Sequence, residues 1–113
     1  MKAEGHLKKA KELKASIEYF GHNEKHLVAV VELRYGLAQH YIAYGLEKKY
    51  GEHKDTHQGA PTLLRQHGQD DIAILFERLD TLRHGRWYGG KGNGEVLEES
   101  LRIIEEIEKW AVE

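Results

Sequence analysis

The stretch that best combines residue types able to do chemistry is one short run, Arg83-His84-Gly85-Arg86-Trp87-Tyr88-Gly89-Gly90-Lys91. Cations of this kind bind phosphate oxygens, aromatic rings stack on bases, and glycines let backbone N–H groups approach a ligand. His84 falls at the end of a helical pattern, where a helix C-terminus favours its protonated form. Asp80 lies four residues earlier on the same helical face and can orient the ring or stabilise its charge. A histidine that exchanges protons beside cations suits general acid–base cleavage of a phosphodiester. The plainer reading is that Trp87 and Tyr88 close one end of the core, with Arg83 and Arg86 as cations favourably placed at a helix terminus.

Arg34-Tyr35 and His40-Tyr41 form a second group, in the middle of a strongly apolar stretch. An Arg and a His there either sit at a solvent edge or line a cleft. Other constellations are weaker. Residues 89–94 superficially resemble a phosphate loop, but no strand precedes them and no Lys-Ser or Lys-Thr follows; Asn93 reads better as a helix cap. His22 and His26, and likewise His53 and His57, are four apart and could share a metal, but a site wants about three or four ligands and no His-Glu-x-x-His pattern exists. The chain has no cysteine, which excludes disulfides, thiolate zinc sites and thiol nucleophiles. No Gly-x-Ser-x-Gly elbow is present. No cofactor is expected.

The elements that must position these residues are helices. Leu7, Ala10, Leu13, Ile17 and Phe20 recur at spacings of three and four, which predicts an amphipathic helix over residues 3–20, broken at Gly21-His22-Asn23. Residues 24–50 carry a wide apolar arc and predict a long central helix stopped by Gly51. A short helical turn is expected at 60–67, with Pro61 near its start, then a third main helix from about 70 to 83 on Ile72, Leu75, Phe76, Leu79 and Leu82. A glycine-rich loop spans 85–94, and a last helix over 95–112 uses Val96, Leu97, Leu101, Ile104, Ile107 and Trp110. Short connections favour antiparallel neighbours, so the expected fold is one all-α domain over 1–113, a four-helix up-and-down bundle with a short extra helical turn.

Composition agrees. The 113 residues are 40% apolar and 32% charged, too apolar for a disordered chain and too polar for a membrane protein. A net charge of −2 announces no overall basic surface for nucleic acid, although a local basic site remains open. Residues 1–10 are polar and lack the apolar stretch of a signal peptide, and no apolar run approaches the roughly 20 residues that span a bilayer. A cytoplasmic location without membrane contact is expected.

The order of these features resembles the HEPN family, the small helical bundles of prokaryotic toxin–antitoxin and defence systems that also occur beside minimal nucleotidyltransferases. The likeness is carried by Leu7 to Phe20, by the aromatic-rich helix holding Arg34-Tyr35, and by Lys54-Asp55-Thr56-His57 leading to Leu63-Leu64. Leu79-Asp80-Thr81-Leu82-Arg83 followed by Trp87-Tyr88-Gly89, and a final helix ending near Trp110, complete it. Active members carry an Arg followed, after about four to six residues, by a His. Both Arg34-x5-His40 and Arg78-x5-His84 meet that spacing, and the second is nearer to where the family keeps its motif. Leu79 stands where a polar residue is usual, and Tyr88 follows His84 by four positions rather than two.

The resemblance implies metal-independent RNA cleavage, with His84 as acid or base and Arg78, or Arg83 in its place, stabilising phosphate charge. Arg83, Arg86, Trp87, Tyr88, Lys91, Arg34 and His40 would then bind RNA or nucleotide. It also implies a C2 homodimer with a site shared between protomers. The departures leave open a non-catalytic module that pairs with a minimal nucleotidyltransferase. A His-based metal-binding bundle is the third reading.

Overall fold

Alternating apolar and Lys/Glu positions form α1 (Ala3–Phe20), which ends where Gly21 takes a left-handed φ of 71° and donates its N–H to the Ile17 carbonyl at 3.1 Å. The computed structural model describes residues 2–53, 59–85 and 92–113. Asn23 Oδ1 accepts from the Lys25 N–H at 2.9 Å and caps a single 3₁₀ turn, Glu24–His26. The long helix α2 (Leu27–Tyr50) therefore begins three residues later than the expected start at Glu24. Lys48 and Lys49 suit the negative end of its dipole. The short helix α3 (Gly59–Gln66), α4 (Asp70–Arg83) and α5 (Asn93–Val112) follow. The chain is all-α, with no strand among the described residues. No helix among those residues is long and apolar enough to cross a membrane.

The wide apolar arc of α2 has its expected consequence: α2 packs against α1, α3, α4 and α5. Val30, Ile42 and Leu46 on α2 meet Phe76, Leu79 and Leu82 of α4 and Val96, Leu97 and Ile107 of α5 in one core. By contrast α1 fully buries only Ala3, His6 and Ala10; Leu7, Leu13, Ile17 and Phe20 are half-covered.

Close approach of α2 and α5 depends on Gly45. A Cβ there would lie 2.5 Å from Trp110 Cζ3 and 3.2 Å from the Ala111 Cα. The indole is not free to turn away, because its Nε1 donates to Gln69 Oε1 at 3.1 Å, and Gln69 Nε2 donates to the Tyr50 hydroxyl at 2.7 Å. Overpacking costs about 1–3 kcal/mol, against the roughly 0.8–1 kcal/mol that Ala gains over Gly inside a helix. Gly45→Ala is therefore expected to lower stability by about 1 kcal/mol in urea unfolding. In a Trp110→Ala background the clash with the ring is gone and the 3.2 Å approach to the Ala111 Cα remains, so the same substitution should cost less than in the wild type.

A second tie joins three helices. Tyr41 donates to Glu108 Oε2 at 2.6 Å, and Lys14 Nζ lies 3.0 Å from the same oxygen. Burial opposes the Glu108 charge, but the hydrogen bonds from Tyr41 and Lys14 outweigh it and hold this carboxyl below the usual range. Because the folded pKa is depressed, its stabilisation is present above the unfolded value of about 4.3 and is lost as pH falls through the folded one. Thermal melts from neutral to acid pH should show Tm falling below about pH 4.3. Glu108→Gln should start lower at neutral pH and fall less steeply.

Candidate functional site

The last turn of α4 assembles a carboxylate, a guanidinium and an imidazole. Arg83 reaches Asp80 Oδ1 through Nη2 at 2.8 Å and Nε at 3.1 Å, and Nη1 approaches Glu32 Oε1 at 3.3 Å. Its guanidinium lies over the Tyr35 ring, 4.2 Å from the centroid, and Tyr35 in turn stacks on Phe76 at 5.0 Å. A column thus runs from the core (Phe76) through Tyr35 to a cation at the surface. Burial works against the Arg83 charge, yet the Asp80 hydrogen bond and the charges of Asp80 and Glu32 raise its pKa overall. Burial, aided by the Asp80 charge, pushes Tyr35 up to about 12, so this phenol stays protonated at neutral pH.

His84 caps α4, its backbone N–H bonded to the Asp80 carbonyl at 3.1 Å. Its Nε2 lies 3.2 Å from Asp80 Oδ1 and 3.2 Å from Arg83 Nη2, and the side chain is 49% exposed. The two neighbours suit two protonation states. A neutral ring can accept from Arg83 at Nε2, whereas a protonated ring donates from Nε2 to Asp80. Each state of this exposed ring thus has a hydrogen-bond partner.

Arg78 is elsewhere. Its Nε and Nη2 grip Glu99 of α5 at 2.6 and 3.0 Å. Six residues of α-helix separate it from His84 by about 120° around the axis. Within one chain the structure thus sets Arg83, rather than Arg78, beside His84. Arg86, Trp87, Tyr88 and Lys91 lie outside the described residues.

Arg34 and His40 diverge also. Arg34 is buried, 4% exposed, and donates through Nη1 to the Leu97 carbonyl at 2.9 Å and the Ser100 hydroxyl at 2.7 Å. His40 turns toward α1, where its Nδ1 meets His6 Nδ1 at 2.8 Å. The line continues from His6 Nε2 to His53 Nε2 at 3.2 Å and from His53 Nδ1 to Glu47 Oε2 at 2.9 Å. His6 joins the other two rings through its opposite ring nitrogens, so the three imidazoles form a row and do not converge on one point. His22 contacts Glu98 Oε1 at 2.9 Å and His26 packs on Phe20, while His57 lies outside the described residues. Among the described residues no group of three or more His, Asp or Glu side chains is placed to hold a metal ion.

No family model, curated protein or solved structure matches this chain. Function is read from the side chains themselves. The residue that sequence reasoning passed over is His6. It falls four before Ala10 and seven before Leu13, in the apolar stripe of α1, and that spacing was the available signal of its burial.

Proposed function

We propose that this chain is a HEPN-like helical domain, with α1, α2, α4 and α5 as an up-and-down bundle and α3 as a short insert. In this reading it binds RNA or nucleotide at the end of α4 and cleaves RNA without a metal. The observation that supports this most is His84 held between Asp80 and Arg83, half-exposed, directly before Arg86, Trp87, Tyr88 and Lys91 in the chain. Neutral His84 takes the proton of an RNA 2′-hydroxyl as its oxygen bonds to the adjacent phosphorus. The bond from phosphorus to the 5′-oxygen breaks, and a protonated His84 from a second copy, in a C2 dimer, supplies the proton to that leaving oxygen. Products are a 2′,3′-cyclic phosphate and a 5′-hydroxyl. Arg83 stabilises the negative charge gathering on the phosphate oxygens. A cytoplasmic location goes with this reading.

The test is RNA cleavage in the presence of EDTA by wild type and His84→Ala, at concentrations where the dimer is measured. Cleavage that survives chelation and is lost with His84→Ala supports the reading. One observation favours a second reading, a non-catalytic module that pairs with a minimal nucleotidyltransferase. The arginines of α4 are already neutralised, Arg78 by Glu99 and Arg83 by Asp80 and Glu32. Absence of cleavage by a dimer of proven fold moves the assignment to that module.

A further inference from the structure

We propose that the groove between α1, α2 and α5 binds a small zwitterion with an aliphatic body, of the class of an apolar α-amino acid. This site is separate from the end of α4 and does not rest on the ribonuclease reading. The groove encloses about 500 Å³, within the range of small-molecule sites. Ile17, Leu37, Leu101 and Ile104 give it an apolar surface, and among the described residues no Phe, Tyr or Trp lines it. An aliphatic body fits such a surface better than a nucleobase, which asks for a flat ring to stack on.

Arg34 forms part of the wall. Among the described residues its hydrogen bonds, both from Nη1, go to a carbonyl and a hydroxyl, and no carboxylate lies within ion-pair distance. Burial lowers its pKa, and the charges of Glu98 and Glu105 offset this only in part. A guanidinium that lines the groove with Nε and Nη2 uncommitted to protein acceptors offers a fork that a carboxylate matches. A ligand carrying negative charge alone is disfavoured by the rim. Glu98 is taken by His22 and Glu108 by Lys14 and Tyr41, but Glu18 and Glu105 line the groove with no ion-pair partner among the described residues. An ammonium group on the same ligand answers those carboxylates. One molecule with both charges and an aliphatic side chain satisfies the buried cation, the acidic rim and the apolar surface together.

The test is an NMR titration of the whole chain with L-leucine, L-leucinamide and 4-methylpentanoate, which keep the aliphatic body and carry both charges, the positive one only and the negative one only. L-leucine is expected to give saturable shifts at Ile17, Leu37, Leu101 and Ile104, with the other two compounds at least about tenfold weaker. Arg34→Lys should weaken L-leucine binding, with circular dichroism checking the fold, since Arg34 also ties α2 to α5. Glu105→Gln changes an exposed residue. It should weaken L-leucine by about tenfold while leaving 4-methylpentanoate unchanged or tighter. Overturning results are no saturable shift at about 10 mM, equal affinity for the three compounds, shifts centred away from the groove, or L-leucine affinity indifferent to Glu105→Gln.

Discussion

His84→Ala is expected to lower RNA cleavage by about 10²–10⁴-fold, the usual contribution of one general acid or base. On the proposed ribonuclease reading the effect should be at the upper end of that range, because in a symmetric dimer one substitution would remove both the group accepting the 2′-proton and the group protonating the leaving oxygen. Stability should barely change, since the ring is half-exposed and its backbone cap to Asp80 does not depend on the side chain. Arg83→Ala should also reduce cleavage strongly, as it strips the cation beside the imidazole. Arg78→Ala should do less, because its guanidinium is committed to Glu99, away from His84. The ordering is measured with a single labelled RNA substrate in EDTA. Equal loss from Arg78→Ala and Arg83→Ala would return the phosphate-binding role to Arg78, contributed across the dimer.

Local features were legible in the sequence and long-range ones were not. The end of α4 could be read because Asp80 and His84 are one helical turn apart, and helix geometry alone brings them together. The same sequence could not say that Glu32 and Tyr35 reach Arg83, since that depends on how α2 crosses α4. It also could not show that Glu99 takes Arg78. Spacing misleads where a helix separates residues by azimuth: Arg34 and His40 share a motif-like interval, yet one faces α5 and the other α1. Boundaries were legible where glycine takes a left-handed φ, as at Gly21 and Gly51. They slipped where a cap or a tolerated glycine decides, at the 3₁₀ turn held by Asn23 and at the first residues of α5, Asn93-Gly94. The row of histidines spans α1, α2 and the segment after α2, with contacts 34 and 47 positions apart in the chain, so no local pattern contains it.

Phe76→Ala is expected to destabilise the fold by about 3–5 kcal/mol, the cost of emptying an aromatic site in a core that relaxes only partly. Phe76 is 1% exposed, and its ring lies parallel to Tyr35, 13° between planes. Removing it takes away the backing of Tyr35, which is itself buried and can fill the space only by drawing inward. The guanidinium of Arg83 rests on the other ring contact of Tyr35, so an inward shift loosens Arg83 and, through it, the imidazole of His84. Two readouts should therefore move together: the urea midpoint falls, and the ring resonances of His84 shift although the substitution lies about two turns of α4 away. If stability drops by the full amount while His84 does not move, the column from core to surface is packing only, and Arg83 is held by Asp80 and Glu32 alone. A loss below about 1 kcal/mol would mean instead that α2 and α4 close over the gap, which the tight core around Ile42, Leu79 and Leu82 argues against.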